Sequence, residues 1–482
     1  MIFAGVDLGT SGIKVAFVDE NGTCLATAAR RSQVDVPHQG WSQQDPDQWW
    51  RLTAECFDEM AADHGKLMAA LAGISFSGHM LGQVLLDEND RPTTPCILWN
   101  DQRSLAECAE LLERVPDIGW RTNGQPDPGL TAPKLLWLAK HQPDALERAN
   151  ILMLPKDYVR LRMTGERATE ISDASGTMML DCATGKWDDD LLAAAGWDRA
   201  RVPKLLGSSE PAGQLLPELC QRWGTPRRVV VAAGCGDNYA GALGVGASVP
   251  GRAALSIGTS GVLSIVDSAF HPAPDKAILT TPHAAPGRFL SMGVVMSATQ
   301  SLDWLARLTG TDAVTLSQLA HERAKQGLEG LPICRPSITG VRTPDNRPDA
   351  TAIFTGITAG HDKAELSYSV MEGVAMQFCA VHDAQTAAGV AVDQIQAVGG
   401  GAQSGFWIEL IATLLDRSIF VPETGDVSAC IGAAKLAQAA IHPGQSAEIL
   451  QRPLANQVCF NPNREFSEQL LERFQIHRSL GF

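Results

Sequence analysis

Short apolar stretches rich in β-branched residues recur along this chain, and each stops at or near a glycine: residues 1–6, 13–18, 228–233, 253–257 and 395–398. Runs of that length, bounded by turn residues, predict strands. Longer segments with apolar positions at helical spacing fall at residues 45–63, 132–141 and 363–388. The first also carries start chemistry, with Asp45 as N-cap, Pro46 at the first helical position and Gln48 placed to complete a capping box. Strands and helices mixed over this length predict an α/β fold. Residues 325–350, rich in glycine, proline and arginine, read as a long ordered loop.

One pattern occurs twice. Gly9-Thr10-Ser11-Gly12 joins two predicted strands, and Gly258-Thr259-Ser260-Gly261 joins another pair half the chain away. The shared strand–turn–strand context predicts duplicated α/β halves that face each other, each presenting a hairpin turn. Such a turn offers consecutive N–H groups, hydroxyl donors and glycines that let a ligand approach the backbone, which is an arrangement for phosphate. Either copy alone is equally an ordinary tight hairpin. Two copies, one preceded by Asp7, point to loops gripping a nucleotide's phosphate chain. Asp7 would then sit near a metal ion through water, with a turn-capping role as the alternative.

At 482 residues, the chain exceeds one ordinary core, so two domains are expected. Its 45% hydrophobic and 19% charged residues describe a globular protein. A net charge of −15 argues against a nucleic-acid partner, while local amides can still bind an anion. No apolar run reaches the roughly 20 residues of a membrane span, and Asp7 comes too early for a signal peptide. Eleven cysteines without a C-x-x-C pair predict reduced thiols and a cytoplasmic setting. No Cys/His cluster suggests structural zinc.

Two further glycine-rich stretches carry candidate chemistry. In Gly234-Cys235-Gly236-Asp237-Asn238-Tyr239-Ala240-Gly241, an aspartate lies between a strand end and a helix of small residues. Phosphoryl transfer needs one such carboxylate to orient a hydroxyl and take its proton; a helix N-cap is the other reading, and the two are compatible. Val398-Gly399-Gly400-Gly401-Ala402 ends a strand and opens a helix, which suits a nucleotide at its phosphate or under its base. It is not G-x-G-x-x-G, and the chain has no P-loop.

Longer stretches are more specific. Gly129-Leu130-Thr131-Ala132-Pro133-Lys134-Leu135-Leu136-Trp137-Leu138-Ala139-Lys140-His141 matches one family signature, and the run from Ala352 through Phe354, Gly356, Ile357, Glu365, Leu366 and Ser369 to Glu372 matches a second. GWSQQDPDQWW (40–50), ILWNDQR (97–103), LPKDYVRLRMTG (154–165) and GVRTP (340–344) add to them. On these residues the chain resembles the FGGY family of carbohydrate kinases, within the sugar kinase/actin/heat-shock ATPase superfamily.

The resemblance implies two actin-like (ribonuclease H-like) domains, 1–246 on the sugar side and 247–482 on the ATP side, with both substrates meeting in the cleft between them. It implies ATP and Mg²⁺, a sugar partner and a homodimer as the assembly open to the chain. The expected acceptor is a ketose, D-xylulose first. Asp237 matches the family's catalytic base and Asp7 its second aspartate, near the metal. Thr10, Ser11 and Lys14, together with Gly258, Thr259 and Ser260, fall to the ATP phosphates, and Gly400, Gly401, Ala402 and Ser404 to the adenosine. Trp99, Asn100, Asp101 and Arg103 belong to the sugar side, as do Met80 and Asn238. The chain departs from the family at Leu81, where its D-xylulose kinases carry a histidine after the methionine. His79 lies two residues earlier, on the same face of an alternating strand, and is positioned to stand in. The change makes another ketopentose, such as ribulose, or a polyol an alternative acceptor; a sugar sensor without turnover and an ATPase with conformational output are remoter alternatives. Trp49, Trp50 and Trp137 read as packing, Cys235 as a small filler, and Arg342 as a phosphate ligand or a loop ion pair.

Overall fold

The computed structural model describes residues 1–122, 124–423 and 425–480. Its first half is built on a sheet of β1 (Ile2–Gly9), β2 (Gly12–Asp19), β3 (Cys24–Arg31), β4 (Leu71–Gly78), β5 (Pro211–Gln214), β6 (Val230–Ala232) and β7 (Cys235–Gly236). The order is β5-β6-β4-β1-β2-β3, with β7 also paired to β4. A second sheet uses β8 (Arg252–Ile257), β9 (Gly261–Asp267), β10 (Leu279–Pro282), β11 (Phe289–Val295), β12 (Gln394–Val398), β13 (Ile419–Pro422) and β14 (Gln457–Phe460), in the order β10-β11-β9-β8-β12-β13-β14.

The two sheets share one plan. In each, an antiparallel hairpin is followed by a parallel neighbour on its first strand: β1 pairs with β2 and then β4, while β8 pairs with β9 and then β12. The repeated Gly-Thr-Ser-Gly tetrads are the turns of the two hairpins, with Gly9 opposite Gly12 and Ile257 opposite Gly261. The duplication predicted from four residues is therefore a duplication of sheet topology.

The helices that position the site are α1 (Pro46–Asp63), α2 (Thr131–His141), α3 (Asp237–Gly244), α4 (Thr299–Thr309), α5 (Ala313–Ala324), α6 (Lys363–Ala387), α7 (Gly405–Leu415) and α8 (Ser428–Ile441). One core holds α1 residues Trp49 and Phe57 against Phe17 of β2 and against Trp223. A second core packs α4 to α7 on the second sheet. Between the sheets lies a third, containing Phe3 and Val18 of the first sheet, Ala254 and Val266 of the second, and residues of α3 and α8. Bare glycines bring these two helices together: a Cβ on Gly432 would lie 1.9 Å from Ala240 O, and one on Gly244 would lie 2.0 Å from Ser428 O. Contact at that range leaves no room for a side chain.

Some local expectations change. Asp45 does cap α1, accepting from Asp47 N–H at 3.0 Å. The capping box with Gln48 does not form, because its side chain accepts instead from Ser32 Oγ–H and Gln33 N–H, both at 2.8 Å. A full capping box occurs at Asp362 and Glu365, ahead of α6. The stretch read as a loop at 325–350 contains a strand, Ile333–Arg335, paired with Ile353–Thr355. Trp49 and Trp137 are buried and Trp50 is half-buried, and no disulfide forms among the described residues.

Candidate active site

Three neighbouring parallel strands bring the two aspartates to one edge. Asp7 on β1 lies opposite Ser77 on β4, and Cys235 on β7 lies opposite the same Ser77 from the other side. Asp237 follows β7 directly as the first residue of α3. The N-cap position belongs to Gly236, so the N-cap reading of Asp237 does not hold; its Oδ1 accepts from Asn238 N–H at 2.8 Å. Both carboxylates are half-buried. Burial, reinforced by the nearby Asp7 charge, pushes the Asp237 carboxyl up to about 7. Burial also raises Asp7, against the opposing pull of the Ser77 hydroxyl, which donates to it at 2.8 Å, and of the Lys14 charge. An Asp7 charge that disfavours ionisation of the neighbouring Asp237 makes this a place for a cation or for a proton in transit. Mg²⁺ takes one or two carboxylates plus substrate phosphates, and Asp7 beside a phosphate-type hairpin fits that set. No cluster of three or more His, Cys, Asp or Glu able to hold a metal by protein groups alone occurs among the described residues.

Met80 and Leu81 form a wall next to Asp237. A Cβ on Gly236 would meet Met80 Sδ at 2.5 Å, and one on Gly176 would meet Leu81 Cδ2 at 2.4 Å. Leu81 has φ 75°, in the left-handed region that side chains rarely adopt. Its carbonyl is fixed there by donors from Thr131 Oγ1 and Lys134 Nζ, each at 3.0 Å, and Lys134 also donates to Ile97 O at 3.0 Å. The substitution of His79 for the missing imidazole is not what the structure shows. β4 ends at Gly78, so strand alternation does not extend to position 81. The His79 ring is buried edge-on to Trp49, with ring centroids 5.1 Å apart and both nitrogens enclosed and unpartnered. Desolvation holds it neutral, with its pKa down at about 3.

The Trp99-to-Arg103 segment divides in two. Trp99, Asn100 and Asn238 are exposed, and the Trp99 indole N–H donates to Thr10 Oγ1 at 3.1 Å. Asp101 and Arg103 turn inward and neutralise each other, the Arg103 guanidinium donating to both Asp101 oxygens at 2.8–3.0 Å. Asp101 also accepts from Ser42 N–H, and Arg103 lies 3.9 Å over the Trp41 ring. With its charge matched and its side chain buried, this pair holds the segment in place and does not face a ligand.

In the second hairpin Thr259 and Ser260 are exposed, while the carbonyls of Gly258 and Thr259 accept from Thr299 and Ala298 N–H at the start of α4, both at 2.9 Å. Gly400, Gly401 and Ser404 line a cavity of about 530 Å³. Gly401 could carry no side chain, since its Cβ would lie 2.3 Å from Ile257 Cγ2. Ala402 is buried behind the turn, and Ser404 caps α7 through Trp407 N–H. Asp303 of α4 and Ser317, Gln318 and His321 of α5 complete the cavity, with the His321 ring stacked on Phe406 at 4.9 Å. None of these four was singled out from sequence, because α4 and α5 were not among the predicted helices. Ser77 and Lys134 were likewise missed: nothing in a sequence says what a strand serine or a buried lysine will bond to. Arg342 resolves as an ion pair, 3.4 Å from Asp127 in the other half.

Paired carboxylates beside one phosphate-type hairpin, with a second such hairpin and a nucleoside-sized cavity on the other half, are the parts a phosphotransferase needs. The N-terminal domain model of the FGGY family of carbohydrate kinases matches residues 2–244 and the C-terminal domain model residues 253–441. The chain belongs to this family, and its reaction is phosphoryl transfer to an alcohol group. The xylulose kinase of Escherichia coli (strain K12) is 39% identical over 482 residues, covering 98% of this chain and 99% of that protein. That of Klebsiella pneumoniae is 38% identical over 462 residues, covering 96% and 95%. The crystal structure of a xyloylose kinase from Brucella ovis matches with a TM-score of 0.95 at 37% identity, covering 100% of this chain and 98% of that one.

Proposed function

We propose that this chain transfers the γ-phosphoryl group of ATP to D-xylulose, giving D-xylulose 5-phosphate and ADP. The carrying observation is the position of Asp237, which follows β7 beside the Met80 side chain and near enough to Asp7 that burial and that charge raise its carboxyl to about 7. The sugar rests against Met80, Leu81, Trp99, Asn100 and Asn238, on residues 1–246. ATP lies with its adenosine in the cavity at Gly400, Gly401 and Ser404, on residues 247–482, and its phosphates reach Gly258 to Ser260, Thr10, Ser11 and Lys14. Asp237 takes the proton of the acceptor hydroxyl as its oxygen bonds to the γ-phosphorus and the bond to ADP breaks. Mg²⁺ held through Asp7 supplies charge neutralisation at the phosphates. The remaining work of the protein is alignment and exclusion of water. Cysteines that form no disulfide among the described residues support a cytoplasmic setting.

A second reading, transfer to another ketopentose such as ribulose or to a polyol, rests on Leu81, which leaves the wall without an imidazole for a sugar hydroxyl. ADP release measured with ATP·Mg²⁺ across ketopentoses, ketohexoses and polyols separates the two. D-xylulose is expected to give the highest kcat/KM, rising with pH up to a limb near 7 as Asp237 ionises. Asp237→Asn is expected to lower kcat by at least about a hundredfold, the upper range of general-base catalysis being about 10⁴, with ATP affinity retained. Near-normal turnover in that variant overturns the assigned base, and a higher kcat/KM for another acceptor moves the substrate to that sugar.

A further inference from the structure

Trp99 lies on the sugar wall and Thr10 in the first hairpin, yet the indole Nε1–H donates to Thr10 Oγ1 at 3.1 Å across 89 positions of sequence. Both ends are fixed at the backbone. A Cβ on Gly129 would stand 2.0 Å from Trp99 O, and Gly129 N–H in turn donates to Asp127 Oδ1 at 2.9 Å. Thr10 O accepts from Gln44 Nε2–H at 2.9 Å, while Gln44 Oε1 accepts from the indole N–H of buried Trp49 at 3.2 Å. The Trp99 ring itself is 50% exposed, and Thr10 is its only hydrogen-bond partner among the described residues. Two anchored backbones thus meet through one polar link, and that link ends on a half-exposed tryptophan.

We propose that the Trp99–Thr10 hydrogen bond couples the two substrate sites, so that the sugar and the nucleotide tighten each other's binding; this rests on the functional reading above. A sugar packed on the indole face holds the ring and, through its N–H, the Thr10 side chain before phosphate arrives. A phosphate that orders the hairpin holds Thr10 and, through it, the ring against which the sugar packs. Each ligand removes ordering cost that the other would otherwise meet, and the effect is reciprocal by linkage.

The test measures D-xylulose affinity by calorimetry, with and without the non-hydrolysable ATP analogue adenylyl imidodiphosphate plus Mg²⁺. In the wild type the analogue is expected to tighten D-xylulose. Trp99→Phe keeps a smaller aromatic ring and loses the donor, and it should reduce that ratio about fivefold, the scale of one net hydrogen bond. Thr10→Val should reduce it equally and the double variant no further, whereas Thr10→Ser, which keeps the hydroxyl, should retain it. A ratio divides out each variant's own loss of affinity, so a merely structural role leaves it unmoved. An unchanged ratio in Trp99→Phe, additive losses in the double variant, or a wild type without coupling overturns the inference. A wild type that phosphorylates none of the sugars tested overturns the functional reading, and the inference falls with it.

Discussion

Lys134 is a buried ammonium with two backbone carbonyls, Leu81 O and Ile97 O, as its hydrogen-bond partners, and no ion pair among the described residues. Desolvation pulls its pKa down to about 8. The folded state therefore sheds this proton from about pH 8 upward, while the unfolded chain keeps it to about 10.5. Where the unfolded state binds more protons, stability rises with pH. The melting temperature of the wild type, relative to Lys134→Met, is expected to climb between pH 8 and 10 and to be flat below 7; a difference that falls over that window contradicts the assignment. The same variant frees the backbone of Leu81 from one of its two donors, so the sugar KM should rise several-fold, on the scale of about 1 kcal/mol per lost bond, with kcat moving less. At this scale the sequence was legible where the chemistry is local. Asp7 and the tetrads declare themselves by their neighbours in sequence. Leu81 and His79 did not, because which side chain faces the cleft depends on where β4 ends and on a positive φ that only contacts from α2 explain.

Helix α3 starts at Asp237, so whatever sets the helix also aims the carboxylate. Its crossing with α8 depends on Gly244 and Gly432, where an added Cβ would lie 2.0 and 1.9 Å from a backbone carbonyl oxygen. At the far end Lys435 Nζ, without an ion pair among the described residues, donates to Leu243 O and Gly244 O, closing the α3 C-terminus from α8. Gly432→Ala must push the two helices apart, because the obstructing atom is backbone oxygen and cannot rotate away. We expect a loss of about 2 kcal/mol or more, typical of overpacking a tight core, read as a lower denaturation midpoint. A fall in kcat larger than the fall in folded fraction should accompany it, since Asp237 moves with α3. Ala at Gly400, where a Cβ meets nothing within 4 Å, is the matched control and should be near neutral in stability. The hairpins and long helices could be read from sequence because their determinants are adjacent residues. The α3–α8 contact could not, since the glycines and the carbonyls they accommodate are nearly two hundred residues apart and neither pattern names the other.

Across the whole molecule, the halves share an apolar layer around α3 and α8 and are also joined by the ion pair of Arg342 with Asp127. The layer is buried and apolar, so it is insensitive to salt screening of charges. The pair is partly exposed, 34% and 41%, at 3.4 Å, so it is screened by salt and contributes about 1 kcal/mol or less. Asp127 has a second task, accepting from Gly129 N–H behind Trp99, so the two partners of this pair are not equivalent. If the pair biases the free protein toward a closed cleft, its loss lowers the fraction of molecules ready to bind, and apparent affinity drops by that fraction. Arg342→Ala should then raise the KM for both substrates by up to about fivefold, within the 1 kcal/mol bound on such a pair, with kcat nearly unchanged and the melting temperature within a few degrees of wild type. Wild-type protein in 1 M NaCl, where the Debye length is about 3 Å, should show the same rise, and the variant should show no further rise with salt. Asp127→Ala should be worse than Arg342→Ala in sugar KM, because it also releases the turn that holds Trp99. Equal effects of the two substitutions, or a KM in Arg342→Ala that still climbs with salt, would mean that the pair is a surface contact without influence on closure.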